Sequence, residues 1–428
     1  MGHGDYTPRY RNYVLFILFL TYVLNFLDRQ LMTILLEPIK QEFGASDTAM
    51  GFLTGFAFAL FYATLGIPVA RLADRWSRRN VIAISVTVWS GMTALCGAAA
   101  SFWQLALFRI GVGVGEAGGT PPSHSMIADY FPPEQRSTAM SIHATGTQFG
   151  ILIGMLGGAF IAEAYGWRMA FVIFGIPGLL VGALIAFTVR EPLRSAPPVQ
   201  GAMWSDIKGV WQLPGFLLIS CAGALTGLAG YGLGAWSPSF LIRTHGLSLM
   251  EAGLMLGIAG AIGGILGAVI GGLLCDRLSQ RDLRWQLWFP SLGAFASAPF
   301  MFAFVLWPES QAWQVGEITI PVAMLFMLGG GIIAAFWIGP TYAAIQNLAP
   351  PDKRTQASAL FLFMFNLVGL GLGPLLIGVL SDALAPSLGV ESLRYAMAAG
   401  LTGVVLGGFL FWRAAPLYAR HVQGQQSA

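Results

Sequence analysis

The chain has 428 residues, of which 56% are hydrophobic and only 10% charged, and its mean hydropathy is +0.68. A soluble globule carries about 25% charged residues, so this chain cannot coat its own surface with water, and lipid is the remaining solvent. The formal net charge of +3 says little by itself; the placement of the charges says more.

A bilayer crossing takes about 20 predominantly apolar residues in a helix. Such stretches are expected over 12–36, 49–73, 81–100, 103–128, 137–163, 167–189, 213–243, 250–275, 285–307, 318–347, 355–384 and 391–413. The fold class expected is therefore all-α, a polytopic membrane protein of twelve transmembrane helices. The first stretch, Tyr13 to Leu36, is too long for a signal h-region, carries Asp28 and Arg29, and lacks a small-residue cleavage site, so it reads as a retained helix. A β-barrel is excluded because outer-membrane strands alternate over about 10 residues, whereas these stretches are apolar on all faces.

With the N-terminus inside, all but six of the 23 basic residues fall on the cytoplasmic side. Lys40, Arg168, Arg243 and Arg394 fall outside, and Arg29 and Arg109 lie within helices. The positive-inside rule then places both termini in the cytoplasm. The basic clusters sit in short loops between apolar helices, which excludes nucleic-acid binding. Cys96, Cys221 and Cys275 have no metal-ligand spacing and are assigned to packing.

Residues 190–212 are the longest polar stretch between spans and read as a cytoplasmic linker. It divides an N-terminal six-helix bundle, 1–189, from a C-terminal one, 213–428. The halves repeat each other: Leu72-Ala73-Asp74-Arg75-Trp76-Ser77-Arg78-Arg79 after span 2 corresponds to Leu274-Cys275-Asp276-Arg277-Leu278-Ser279-Gln280-Arg281 after span 8. A second correspondence sets Asp129 to Ala139 against Asn347 to Ala357, with Arg136 opposite Arg354. Two pseudo-symmetric bundles of this kind point to a transporter working by alternating access, with substrate held near midplane.

At these residues the chain resembles the major facilitator superfamily over nearly its whole length. Leu72, Ala73, Asp74, Arg75, Arg78 and Arg79 match the family's loop signature Gly-x-Leu-Ala-Asp-Arg-x-Gly-Arg-Arg, with Ala70 and Ser77 where Gly is usual. The resemblance implies a cytoplasmic latch at Asp74 and Arg75, with Asp129 and Arg136 nearby and Asp276 and Arg354 as their repeats. Arg109-x-x-x-Gly113-x-Gly115-x-Ala117 is similar to the fourth-helix motif and Gly369-x-x-x-Gly373-Pro374 to the glycine-proline motif. Span 5 departs from the family: Gly146, Gly150 and Gly154 are followed by Met155 rather than Pro, which leaves antiport unassigned. Asn25-Phe26-Leu27-Asp28-Arg29-Gln30, Gly115-Glu116-Ala117 and Ile127-Ala128-Asp129-Tyr130-Phe131 resemble the spinster-like transporters. That resemblance implies a lipid-like substrate, such as a lysophospholipid or a phosphorylated sphingoid base.

An ionisable residue deep in a span costs about 2.5–3.5 kcal/mol, so each is a functional candidate. Asp28, Arg29, Arg109 and Glu116 qualify. Thr21, Asn25, Asp28 and Arg29 fall on one stripe, and Arg109 and Glu116, seven apart, share a face that Thr120 and Ser123 extend. The depths allow Asp28 to pair with Arg109 and Arg29 to reach Glu116. Glu116 and Asp28 are expected to couple protons; Arg29, Arg109, Asn25 and Thr120 are expected to bind substrate. When Glu116 takes a proton, a bidentate guanidinium is released for an anionic head group. A static ion network would also sum to zero charge and is the structural alternative. The C-terminal spans carry no charge near midplane; the lining expected there is Tyr231, Trp236, Phe336, Trp337, Phe361, Phe365 and Asn366, with Tyr231, Trp337, Phe361 and Asn366 as substrate contacts.

Gly113 to Gly118 matches G-x-G-x-x-G but lies inside a span with no preceding strand, so dinucleotide binding is rejected. His124 and His143 could relay protons or be ordinary hydrogen-bonded histidines, and Pro121-Pro122 should break or kink span 4. No H-E-x-x-H, G-x-S-x-G or Gly-Lys pair occurs, so neither an enzyme nor an ATP-driven pump is expected, and no cofactor or metal. The function expected is secondary, proton-coupled transport of an amphipathic anion by a monomer in a bacterial plasma membrane. The alternatives are transport of a small soluble organic anion and, more distantly, a channel or lipid scramblase.

Overall fold

The structure, a computed structural model, describes residues 6–193, 208–316, 318–350 and 353–427, so most of the expected linker lies outside the described residues. By contacts the chain divides into two units, one of 1–45 and 57–200, the other of 46–56 and 201–428.

In the first unit α1 (Pro8–Ile34) starts from a Thr7 cap with proline at its first position, where a missing N–H costs nothing. It is followed by α2 (Leu36–Phe43), which ends at Gly44 with φ 58, a left-handed cap that glycine adopts without strain. The next helix, α3 (Asp47–Gly51), and the π-helical turn Phe52–Phe56 belong to the second unit, although they open the second apolar stretch. The first unit resumes with α4 (Ala57–Arg75), α5 (Arg78–Cys96), α6 (Phe102–Glu116), α7 (Thr120–Tyr130), α8 (Pro133–Tyr165) and α9 (Trp167–Thr188).

The expected single helix over 103–128 is two helices. The helix is interrupted by a turn at Ala117, Gly118 and Gly119, just before Pro121 and Pro122, so Glu116 is the last residue of α6. Two prolines in one turn remove two ladder donors, and the preceding glycines let the chain bend there. Glycines also set how near the helices approach. A Cβ at Gly113 of α6 would stand 2.6 Å from the Phe58 carbonyl oxygen of α4, and one at Gly150 of α8 2.6 Å from the Val23 oxygen of α1.

The second unit continues with α10 (Phe216–His245), α11 (Leu249–Ser279) and α12 (Trp285–Leu306). Then comes an antiparallel hairpin, β1 (Ala312–Val315) with β2 (Ile318–Pro321), which pairs Trp313 with Ile320 across a turn where Gly316 has φ 66. The fold is overwhelmingly helical, as expected; residues 318–321, expected to open a transmembrane helix, are instead β-branched Ile-Thr-Ile before a proline and form a strand. The helices after it are α13 (Ala323–Ala334), α14 (Ile338–Leu348), α15 (Arg354–Met364), α16 (Gly373–Leu388) and α17 (Ser392–Ser427). A π-helical stretch, Phe365–Leu372, interrupts the eleventh expected span. α17 runs beyond its expected end because Ala414, Ala415, Tyr418 and Val422 bury themselves in a core with Phe216, Ile345 and Leu348.

Among the described residues nine stretches are long and apolar enough to cross a bilayer. One of them, Gln356–Gly424, has 69 residues, enough for two crossings at about 20 residues each. Neither α5, which opens on Arg78 and Arg79, nor the broken α6–α7 pair is among the nine.

Candidate transport site and its relatives

Four ionisable side chains meet inside the first unit as two pairs. Asp28 Oδ2 accepts from Arg109 Nη1 at 2.6 Å, and Glu116 Oε2 accepts from Arg29 Nε at 2.9 Å and lies 2.8 Å from Nη2. The helical spacing explains the arrangement: successive residues Asp28 and Arg29 diverge by about 100° on α1, while Arg109 and Glu116 stand two turns apart on α6. Asp28, Arg109 and Glu116 are all buried, and the Arg29 side chain retains 12% of its exposure.

The pairs differ in how completely they are satisfied. Asp28 Oδ1 accepts a further bond, from Thr93 Oγ1 on α5 at 2.5 Å, so its carboxylate is held from two helices. Glu116 Oε1 has no hydrogen-bond partner among the described residues, nor have Arg109 Nε and Asn25 Oδ1. Buried polar atoms are nearly always partnered, and an orphan costs about 1–3 kcal/mol, so Glu116 is the under-satisfied carboxylate of the two. It also ends α6, where the partial negative charge of the last carbonyls opposes an anion.

Aromatic rings complete the surroundings of the arginines. The Arg29 guanidinium carbon lies over Phe26 at 5.2 Å, Phe58 at 5.0 Å and Tyr62 at 4.7 Å; Arg109 lies over Phe58 at 5.4 Å. Each such contact contributes about 0.5–2 kcal/mol, more where water is excluded. Sequence reasoning missed Thr93, Phe58 and Tyr62. Only the spacing of Phe58 and Tyr62, i and i+4 on one helix, hints at a shared face, and apolar spans are full of such pairs.

Thr120 is half-buried, one residue past the break, and Ser123 turns back to donate to the Gly119 carbonyl at 2.7 Å. The two histidines meet: the His124 and His143 rings are 5.2 Å apart, and His143 stacks on Tyr22 at 4.4 Å. His143 is buried and its Nδ1 has no partner among the described residues, so it is not the hydrogen-bonded helix-end histidine of the commoner case.

In the second unit the expected aromatic lining separates into two groups. Trp337 and Phe361 belong to the packed core, where Gly223 leaves room for the Phe361 ring, and Trp236 is fully buried with its Nε1–H donating to the Pro374 carbonyl at 2.9 Å. Tyr231, Asn366 and Phe365 stay partly exposed, with the Tyr231 and Phe365 rings 5.6 Å apart. A polar cluster that the sequence did not announce lies elsewhere in this unit. Asp47 accepts from Arg243 Nη1 and Nη2 at 2.9 and 3.0 Å and from Ser381 Oγ at 2.6 Å, while Asp382 accepts the backbone N–H groups of Asp47 and Thr48.

The expected gate residues are dispersed. Asp129 pairs with Arg78, which also reaches Glu191 Oε1 at 2.8 Å and the Pro192 carbonyl at 3.0 Å. Arg136 donates to the Phe131 carbonyl at 3.0 Å; Arg75, Asp276 and Arg354 are exposed, and the Asp74 side chain lies outside those described. Glu191, which also accepts from Ser77 and from the Arg79 backbone N–H, is the partner missed from sequence.

The sequence pattern of the Major Facilitator Superfamily matches residues 18–374. The chain belongs to this superfamily. It is 38% identical over 428 residues to an "MFS-type efflux pump" of Mycolicibacterium smegmatis, covering 98% of this chain and 96% of that one. It is 28% identical to "Protein spinster homolog 1" of Xenopus tropicalis, over 94% of this chain and 80% of the other. Among solved structures it is similar to a bacterial homologue of the human lysosomal transporter Spinster in an inward-facing, unoccupied conformation, with a TM-score of 0.83, 30% identity and coverage of 97% and 99%. The chain is thus a major facilitator transporter similar to the spinster proteins, and members of this class are not enzymes.

Proposed function

We propose that the protein is a proton-coupled secondary transporter that works by alternating access and carries an amphipathic anion such as a lysophospholipid. The Arg29–Glu116 pair carries this reading: one oxygen of Glu116 accepts the guanidinium Nε–H and lies 2.8 Å from Nη2, while its other oxygen has no partner among the described residues. A proton on Glu116 removes the charge that holds Arg29, and the freed fork then suits a phosphate or carboxylate head group. Asp28 and Arg109, tied to each other and to Thr93, keep α1 and α6 in register during that exchange. Asn25 and Thr120 supply neutral polar contacts, and Tyr231 and Asn366 supply apolar and amide contacts on the second unit. Asp129 with Arg78 serves as a cytoplasmic latch, with Asp74, Arg75, Arg136, Asp276 and Arg354 contributing to gating.

The relatives described as spinster homologues support a lipid-like substrate, and the mycobacterial efflux pump supports export. The placement of the basic residues supports both termini inside, and the similarity to a mycobacterial efflux pump supports a bacterial plasma membrane. The test is uptake into liposomes holding the purified full-length protein, comparing lysophosphatidylglycerol with a small soluble dicarboxylate, with and without a pH gradient. Accumulation of the lysolipid driven by the gradient, and lost in Glu116→Gln, is the expected result. Transport by Glu116→Gln that still follows the gradient sinks the assignment of the proton to Glu116.

A further inference from the structure

Arg29 and Arg109 lie within one ion network, yet their surroundings give them different capacities. Arg109 is 1% exposed and its guanidinium faces a carboxylate that is itself held from α5. Arg29 keeps 12% of its side-chain exposure and lies over three rings, from Phe26 on α1 and from Phe58 and Tyr62 on α4. A ring face attracts a cation through its quadrupole but uses none of the in-plane N–H donors of a guanidinium. Glu116 uses those donors; the rings do not.

We infer that Phe58 and Tyr62, with Phe26, form an aromatic cradle that positions the Arg29 guanidinium for an anionic head group after Glu116 has let it go. The inference rests on the reading of Arg29 as the anion receptor and adds what fixes its place. A guanidinium released into a cavity without such support would sample many rotamers, and each anion captured would have to restore one of them. Held between ring faces, the fork keeps its orientation after Glu116 lets it go. Phe58 is the firmest part: it is 1% exposed, touches both arginines, and its backbone carbonyl is met by the close approach of Gly113 on α6. Tyr62 stacks on Phe58 at 5.4 Å and lies nearest to Arg29. These are positioning residues; the head group itself is gripped by Arg29.

The test measures binding of lysophosphatidylglycerol to the purified full-length protein at acidic pH, in wild type and in the Glu116→Gln background. Tyr62→Phe keeps a ring face and should bind within about twofold of wild type. Replacing Tyr62 by pentafluorophenylalanine keeps the shape and reverses the ring's charge distribution; Kd should rise about five- to tenfold, as expected for losing one desolvated cation–ring contact. The same rise should persist in the Glu116→Gln background, where the carboxylate holds nothing. Equal binding by the phenylalanine and pentafluorophenylalanine proteins overturns the cradle. Arg29→Gln separates the two ideas: if it leaves binding unchanged, the receptor reading fails with the cradle; if it abolishes binding while the fluorinated ring has no effect, only the cradle fails. Melting temperatures of all variants identify a loss that is merely structural, and a Kd rise that follows melting temperature rather than ring charge also overturns the proposal.

Discussion

One oxygen of Glu116 accepts the Nε–H of Arg29 and lies 2.8 Å from its Nη2, and the second oxygen has no partner among the described residues. A carboxylate used through a single oxygen can take a proton on the other without first breaking a bond there. Infrared difference spectra between neutral and acidic pH should therefore contain a protonated-carboxyl band that is absent in Glu116→Gln. A band that survives the substitution would assign the titration to another group.

Asp28 and Arg109 should behave as a unit in stability. Removing one partner strands the other charge in the bundle, so Asp28→Asn and Arg109→Leu should each lower stability by about 3–5 kcal/mol. The pair Asp28→Leu with Arg109→Leu should recover most of that loss, and denaturation in detergent gives the coupling energy. Additive losses would show that the two side chains act independently.

Gly113 is where α6 meets α4. An added Cβ would stand 2.6 Å from the Phe58 carbonyl, a rigid backbone atom, so one helix must move. Gly113→Ala is expected to cost about 1–3 kcal/mol, as overpacking does. A methyl group added at Gly66 would meet no atom within 4 Å, which makes that position the control: Gly66→Ala should leave the melting temperature unchanged or raised.

A pH effect on stability can be read outside the membrane. Arg168 and then Trp167 donate to Glu42 Oε2, at 2.6 and 2.7 Å, and hold its carboxyl below the usual range for glutamate. Because the folded state favours the charged form, the contribution is present above the unfolded-state value near 4.5 and disappears as pH falls through the lower folded value. Both side chains are substantially exposed, so the pair is worth no more than about 0.5–1 kcal/mol. Glu42→Gln should melt slightly below wild type at pH 7 and together with it in strong acid. A difference that grows on acidification would contradict this.

The transporter class and the four buried charges could be read from the sequence because each rests on a large energy. Charges in spans are costly enough to stand out, and Asp-Arg loops between apolar stretches are rare enough to reveal a repeat. Residues that cost little in lipid did not stand out. Thr93, Phe58 and Tyr62 look like any other span residues until the fold brings them to Asp28 and Arg29, and Trp337 and Phe361 look like lining until their packing is seen. The break after Glu116 was foreshadowed by Pro121 and Pro122, but its position depended on Gly118 and Gly119 yielding first. The cluster at Asp47 joins residues more than 190 positions apart, and no local pattern announces such a meeting.

Asp28 and Arg29 are neighbours in the chain, and both are tied to one helix, α6. An axle pinned at two points cannot roll: turning α1 enough to release Arg29 would drag Asp28 away from Arg109 as well. Backbone rotation is therefore the expensive way to open the pair, and the economical way is a change of charge on a single side chain. In the cycle proposed above the helices would travel together as one beam while the charge on Glu116 sets when Arg29 is available, which would separate the timing of the cycle from the mechanics that carry it.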